Sequence, residues 1–288
     1  MIKDLGILWE WEYDERFVKL LDIVCNKAGK TSYLVAPHNL EESMAKIMNG
    51  EMQFKVVFDR ATDSDPAFLP IIQFHQEAQC RIINEPENAL HTNNKAVMHL
   101  EFVDKVLRVP QTIMLSPQDK IDDKALEAVG NFFVIKPVEG EGGGKGVIVG
   151  AETLQEIYQA RENYPGEMLL IQELIVPRYF RGMRCWFRVF FVCGNVIPCF
   201  WDDQTHIYKE LTLEEKSIFE ENTKIAKKIH QITGLEFFST EVAQTDDQKF
   251  VVVDYVNDQC DMRFQSDTPD GVPDSVIKEI VEGIVSSL

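Results

Sequence analysis

The amino-acid sequence predicts a mixed α/β fold, in which a small parallel α/β unit precedes a longer part that mixes strands and helices. Three observations predict it. Short apolar segments alternate with amphipathic ones over the first third of the chain. A glycine-dense stretch then joins two apolar strands, and the last third contains long apolar strands. The 288 residues, 45% hydrophobic and 26% charged, suffice for two or three packed units.

The N-terminal third shows the strand and helix patterns in the order that a parallel sheet needs. Apolar residues at helical spacing, such as Phe17, Leu21 and Val24, predict a helix over 15–28, which Gly29 ends. The predicted strands are 5–9, 32–36, 54–58 and 81–83, and the other predicted helices are 40–48 and 67–79. The segment after the first strand is bulky and acidic rather than glycine-rich, which argues against a dinucleotide site.

The remainder of the chain mixes helices with longer strands. Asn93 and Asn94 can cap a helix that runs to about residue 106, and Pro273 precedes a closing helix. The predicted strands are 112–115, 132–136, 146–149, 168–172, 186–192, 196–201, 237–244 and 250–254, with helices over 154–163 and near 214–232. The last two strands form a hairpin around a polar turn.

Bulk charge and cysteine usage exclude several classes of partner. The formal net charge of −18 repels nucleic acids and anionic membranes, so neither is an expected partner. No apolar run is long enough to cross a bilayer, and the acidic start does not resemble a signal peptide, so a cytoplasmic location is expected. The six cysteines and six histidines show no metal-binding spacing, and we predict no chemical role for them.

The strongest chemical signal is a lysine placed just before a glycine-rich loop. The segment FVIKP (133–137) ends in Lys136 and Pro137, and EGEGGGKGV (139–147) follows. A strand-end cation beside bare backbone N–H groups is typical of phosphate binding. The spacing does not match a P-loop, because Lys145 leads into a strand, nor a protein kinase, whose lysine follows the glycine loop.

This order of lysine, proline and glycine loop resembles the ATP-grasp superfamily, in particular its carboxylate–amine ligases. Further segments in the matching order are 84–95 with 109–112, 169–174, 188–197, and 238–241 with 253–257. The resemblance runs from about residue 84 to 263. It implies the ATP-grasp fold, with an N-terminal α/β domain (1–86), a central subdomain carrying the glycine-rich lid loop (87–168) and a C-terminal subdomain (169–288). The two α+β subdomains are expected to clasp ATP.

The resemblance also implies a role for particular residues. It assigns catalysis to Arg188 and Lys136. The nucleotide is expected to contact Lys95, Lys136, Glu139, Gly142, Gly143, Gly144, Gly146, Gln172, Glu173 and Leu174. The resemblance assigns magnesium coordination to Glu241, Asp254 and Asn257, and acceptor binding to Arg184, Asp261 and Arg263. Carboxylates on neighbouring strands suit Mg²⁺, which takes hard oxygen ligands together with nucleotide phosphates.

The sequence departs from the family pattern at two positions. The family's usual Glu-x-Asn ending is replaced by Asp254-Tyr255-Val256-Asn257, so that Tyr255 holds the glutamate register. Trp186 stands where the family often has an aspartate before the catalytic arginine. These positions affect the metal site and the substrate class more than they affect ATP binding.

The expected activity is therefore an ATP- and Mg²⁺-dependent ligase, which activates a carboxylate as an acylphosphate for attack by an amine. Two alternatives stay open. One is a small-molecule kinase, because the arginines at 178, 181, 184 and 188 suit an anionic acceptor. The other is a nucleotide-binding protein without turnover, which the Tyr255 departure favours. The expected partners are ATP and a small-molecule or peptide acceptor, and a homodimer is possible.

Overall fold

A computed structural model of the chain describes residues 1–139, 145–211 and 215–288. The strands are β1 (Ile2–Trp9), β2 (Ser32–Val35), β3 (Gln53–Arg60), β4 (Arg81–Ile83), β5 (Thr112–Leu115), β6 (Phe133–Pro137), β7 (Ile148–Ala151), β8 (Leu169–Glu173), β9 (Tyr179–Phe180), β10 (Met183–Arg184), β11 (Trp186–Val192), β12 (Asn195–Trp201), β13 (Tyr208–Glu210), β14 (Phe237–Gln244) and β15 (Phe250–Asn257). The α-helices are α1 (Glu15–Lys27), α2 (Leu40–Met48), α3 (Leu69–Glu77), α4 (Pro86–Thr92), α5 (Lys95–Asp104), α6 (Asp123–Leu126), α7 (Leu154–Asn163), α8 (Lys216–Thr233) and α9 (Asp274–Ser286).

The chain divides into two compact units. Unit 1 contains Met1–Ala89, Arg188–Ser239 and Asn257–Leu288, and unit 2 contains Leu90–Phe187 and Thr240–Val256. The domain boundaries expected at residues 86 and 168 stay a prediction.

Unit 1 contains a four-stranded parallel sheet in the order β2-β1-β3-β4. Parallel strands need crossover connections, and α1, α2 and α3 supply them. Helix α1 buries Phe17, Val18, Leu21 and Cys25, which are the positions that helical periodicity places on one face. The small parallel sheet expected from the alternating patterns is confirmed.

Unit 2 contains a second four-stranded sheet, in the order β5-β8-β6-β7, whose neighbours are antiparallel. Its core includes Leu115, Phe133, Ile135 and Ile171. Helix α7 packs on this core, and Thr153 caps it in a capping box that satisfies two N-terminal N–H groups. The sheet fixes the strand on which Lys136 lies.

A five-stranded sheet has the order β13-β12-β11-β14-β15, and its residues change units at 187/188, 239/240 and 256/257. Strands β14 and β15 form the expected hairpin, which closes where the Thr245 N–H donates to the Lys249 carbonyl oxygen at 2.9 Å. Within the described ranges, no helix combines the length and apolar character that a membrane span requires.

Candidate functional site

Lys136 lies near the end of β6, where its ammonium meets the hairpin strand β15. Its Nζ atom donates a hydrogen bond to the Val253 carbonyl oxygen at 3.1 Å. Burial lowers the pKa of Lys136, while the carboxylates of Asp254 and Glu241 act in the opposite direction. The lysine therefore sits in a partly desolvated position beside two acids, where a cation interacts strongly with an anionic group.

A second lysine lies close to the first. Lys95 is the first residue of helix α5. Asn94 caps this helix, and its side chain accepts hydrogen bonds from the N–H groups of Ala96 and Val97 at 3.0 Å. The positive charge of Lys95 acts on Lys136 and favours its neutral form. Two like charges held near each other in one unit are stabilised when an anion binds between or beside them.

The hairpin acids supply oxygen atoms of the kind that magnesium prefers. Glu241 and Asp254 are half-buried, and both act electrostatically on Lys136. Among the described residues, no group of three or more His, Cys, Asp or Glu side chains is arranged to hold a metal by itself. Mg²⁺ commonly takes one or two carboxylates and completes its coordination with nucleotide phosphates and water. The Glu241 and Asp254 pair fits that requirement.

Tyr255, next to Asp254 in β15, belongs to a buried neutral network. Its hydroxyl accepts a hydrogen bond from Gln172 Nε2 at 2.7 Å and lies 2.7 Å from His99 Nδ1. Gln172 Nε2 also donates to Thr112 Oγ1 at 3.0 Å, and Thr112 donates to the Pro110 carbonyl oxygen at 2.9 Å. Burial raises the pKa of Tyr255 and lowers that of His99, so both groups are neutral at pH 7.

Three residues expected at the adenine hinge lie at the end of β8. Gln172 is 1% exposed, and its side-chain amide is committed to Tyr255 and Thr112. The Glu173 N–H donates to the Gln111 carbonyl oxygen at 2.8 Å, and its carboxylate accepts from the Gln111 N–H at 3.2 Å. Leu174, just past the strand, is half-buried. The side chains of Gln172 and Glu173 are thus held by the protein itself.

The glycine-rich loop is described only at its two ends. Gly142, Gly143 and Gly144 lie outside the described residues, whereas Glu139 is exposed. Gly146 has φ +80°, and a Cβ atom there would lie 2.2 Å from the Tyr164 hydroxyl oxygen. Only glycine fits this position, because of both the backbone angle and the close approach.

The remaining expected site residues are Arg188, Asn257, Asp261 and Arg263 in unit 1, and Arg184 in unit 2. The Arg188 guanidinium lies 4.6 Å from the centre of the Trp201 ring. Arg263 and Asp261 pair with each other, with Nη2 2.6 Å from Oδ2. Arg184 lies beside the Tyr179 ring in the β9–β10 hairpin.

Of the expected site residues, the structure brings Lys95, Lys136, Glu241 and Asp254 together within unit 2.

Comparison with solved structures identifies the fold. No protein-family model matches the sequence, and no curated protein matches it. A RimK domain ATP-grasp protein from Sphaerobacter thermophilus is similar over 99% of both chains, with a TM-score of 0.68 and 18% identity. D-alanine–D-alanine ligase from Bacillus anthracis, solved with ATP, matches 99% of this chain and 97% of its own at a TM-score of 0.64 and 11% identity. The chain has the ATP-grasp fold.

A third similar structure with the ATP-grasp fold is the ligase PsnB complexed with its precursor peptide PsnA2 and AMPPNP. It matches 99% of this chain and 98% of its own, with a TM-score of 0.65 and 14% identity. The expectation of an ATP-grasp fold is confirmed across the whole chain, including the N-terminal parallel sheet.

Within this fold, the sequence patterns missed two contacts. His99 contacts Tyr255 although it has no distinctive spacing, and Trp186 Nε1 donates to Glu241 Oε2 at 3.1 Å. Only the two departures from the family pattern, Tyr255 and Trp186, indicated that something at these positions was different.

Proposed function

We propose that this chain is an ATP- and magnesium-dependent ligase, which activates a substrate carboxylate as an acylphosphate for attack by an amine or similar nucleophile. The observation that carries the proposal is the cluster in unit 2, where Lys95, Lys136, Glu241 and Asp254 interact electrostatically. Ammonium groups bind phosphate oxygens and carboxylates bind a divalent cation, so the cluster suits a nucleoside triphosphate with its metal.

The proposed reaction has two steps. A carboxylate oxygen of the substrate attacks the γ-phosphorus of ATP, and the bond from that phosphorus to the β,γ-bridging oxygen breaks, so ADP leaves. The amine nitrogen then attacks the acyl carbon and loses a proton, and inorganic phosphate leaves as the amide forms. Positioning and charge neutralisation are most of what catalysis of phosphoryl transfer requires.

Residues of this chain take distinct roles in that reaction. Lys95 and Lys136 bind phosphate oxygens, and Arg188 stabilises negative charge on the transferring group. Glu241 and Asp254 would hold Mg²⁺, with Asn257 as the further ligand that the family resemblance implies, and the ion would supply positive charge to the phosphate oxygens. The glycine-rich loop is proposed to contact the phosphates, and its residues 140–144 lie outside the described part of the chain.

The solved relatives support a small-molecule or peptide acceptor. D-alanine–D-alanine ligase was solved with ATP, and PsnB was solved with a precursor peptide and AMPPNP. Arg184, Asp261 and Arg263 are the residues that we propose near the acceptor. Arg184 lies in a hairpin with two more arginines, so an acceptor with an acidic group is the first to test.

Nucleotide binding is tested by thermal unfolding of the wild type and of Lys136→Ala, with and without ATP and Mg²⁺. A ligand at a hundredfold excess over its Kd stabilises the folded state by about 2.7 kcal/mol. Loss of a charge-assisted contact of about 1.5–3 kcal/mol in Lys136→Ala should weaken ATP binding roughly 10- to 100-fold. Lys120→Ala, an exposed lysine of the same unit, is the matched control. Equal ATP stabilisation of both variants and the wild type would refute the proposed role of Lys136.

Ligase and kinase chemistry are separated by the fate of the γ-phosphate. Turnover of γ-labelled ATP with candidate acids and amines should release labelled inorganic phosphate. Hydroxylamine should trap the acylphosphate as a hydroxamate. Label retained on the product would instead identify a kinase.

A second candidate function is nucleotide binding without turnover. It is favoured by Tyr255, whose hydroxyl is engaged by Gln172 and His99 in place of the family's metal-binding glutamate. Magnesium-dependent ATP binding, with no ADP formed across a broad panel of acids, amines and peptides, would establish this function in place of the ligase.

A further inference from the structure

The Trp186 side chain contacts one of the two acids at the proposed metal site. Trp186 is 8% exposed on β11, and its indole N–H donates to Oε2 of Glu241 at 3.1 Å. Both residues belong to unit 2. Glu241 also acts electrostatically on Lys136, which links the indole contact to the phosphate-binding lysine.

An indole N–H affects a carboxylate differently from a charged partner. It is a donor only and carries no charge, so it fixes one oxygen of Glu241 without neutralising the carboxylate. A lysine or arginine in its place would compete with a metal ion for the same negative charge. The aspartate that the family often has at this position would repel Glu241 unless a cation lay between them.

We infer that Trp186 is a positioning residue, which orients the Glu241 carboxylate as a ligand for a divalent cation. The inference rests on the proposed function, because it requires that Glu241 bind the metal of a metal–nucleotide complex. Hydrogen bonds to ligating carboxylates fix their orientation, and loss of such an outer contact typically lowers metal affinity about 10- to 100-fold. The rigid, buried indole is suited to this task because it has few alternative conformations.

The test measures metal affinity directly rather than turnover. Free Mn²⁺ is counted by electron paramagnetic resonance during titration of the full-length protein, in the presence of a non-hydrolysable ATP analogue. Trp186→Phe keeps an aromatic ring and removes the N–H donor. Trp11→Phe, at an exposed tryptophan, is the matched control, and Glu241→Gln removes the proposed ligand itself.

We expect Mn²⁺ to bind at least tenfold more weakly to Trp186→Phe, whereas Trp11→Phe binds it like the wild type. Trp186→His, which restores a ring N–H, should recover part of the lost affinity. If Glu241→Gln weakens Mn²⁺ binding and Trp186→Phe does not, the inference about Trp186 is wrong while the proposed metal site stands. If Glu241→Gln changes nothing, the proposed metal site fails.

A second measurement decides the matter if Trp186→Phe does not fold. The chain has four tryptophans, so a ¹⁵N-labelled protein gives four indole N–H signals. One of them should move when Mg²⁺ and the ATP analogue are added, and the same signal should move in metal-free Glu241→Gln. Four signals that are unchanged by Glu241→Gln would overturn the hydrogen bond on which the inference depends.

Discussion

Unit 1 buries a charged polar cluster, whereas unit 2 buries a neutral one. In unit 1, Arg60 Nε and Nη2 donate to the two carboxylate oxygens of Asp14 at 2.8 and 3.0 Å. Arg60 Nη2 also donates to the Cys260 carbonyl oxygen at 2.8 Å, and Arg60 Nη1 donates to Gln259 Oε1 at 3.2 Å. In unit 2, Tyr255 and its partners exchange hydrogen bonds without any formal charge.

Arg60 in unit 1 and Lys136 in unit 2 show how a structural charge differs from one that is available to a ligand. Arg60 is held by a bidentate carboxylate, so its charge is balanced within the protein. Lys136 donates to a carbonyl oxygen, and its acids act on it electrostatically. A buried cation therefore indicates a phosphate site only when no carboxylate already saturates it.

The largest effect is expected from breaking the charged cluster. Arg60→Met leaves the Asp14 carboxylate buried without its partner, which should lower the free energy of unfolding by about 3–5 kcal/mol. Urea unfolding at pH 7 measures the loss. Arg16→Met is the control, because its ion pairs with Asp267 and Asp274 are roughly half exposed and their loss should cost about 0–1 kcal/mol.

A double variant sharpens this result. Arg60→Met with Asp14→Leu removes both charges, and replacing a buried ion pair by apolar side chains is often neutral. We expect it to recover most of the stability lost in the single variant. A double variant as unstable as Arg60→Met would show that the contacts to Gln259 and Cys260 matter more than the ion pair.

A smaller effect is expected from the neutral cluster. Tyr255→Phe removes the hydroxyl and leaves the buried ring of His99 without that partner, which should cost about 1–3 kcal/mol. Tyr13→Phe, at a tyrosine that is 56% exposed, should change stability by less than about 0.5 kcal/mol. The same urea titration compares them. If the two variants were equally stable, the network would contribute nothing beyond packing.

The sequence predicted best what local patterns determine. Lys136 and its strand follow from an apolar run ending before glycines, and the parallel sheet follows from alternating periods of two and 3.6 residues. Short elements such as α4, α6 and β13 were not predicted, because three to seven residues show too little hydrophobic periodicity. The β9–β10 hairpin was not predicted either, although Arg181 and Gly182, both at positive φ, form its turn.

Contacts between distant residues could not be predicted from local patterns. His99 and Tyr255 are 156 residues apart, and Arg60 and Asp14 are 46 apart. The family pattern marked Tyr255 as unusual, but only the fold shows that its hydroxyl meets Gln172 and His99. For the same reason, the indole contact between Trp186 and Glu241 required a structure.

The smallest predicted effect concerns pH and compares one histidine from each unit. Burial lowers the pKa of both His99 in unit 2 and His75 in unit 1. The folded protein therefore keeps each ring neutral, whereas the unfolded chain binds a proton near pH 6.5. Stability is fully present above pH 6.5 and is lost as the pH falls towards the lowered folded pKa.

Each buried histidine can contribute a slope of at most about 1.4 kcal/mol per pH unit. We expect His99→Gln to flatten the dependence of unfolding free energy on pH between pH 5 and 6.5, and His75→Gln to do the same independently. His38→Gln, at an exposed histidine, is the control.

His75 Nδ1 lies 2.8 Å from the Ile71 carbonyl oxygen, whereas His99 Nδ1 lies 2.7 Å from the Tyr255 hydroxyl oxygen. Burial is the cause of the lowered pKa of His99, and Tyr255→Phe keeps the ring buried, so this variant should leave the slopes due to both histidines in place. A stability that rises on acidification would contradict the neutral state of both rings.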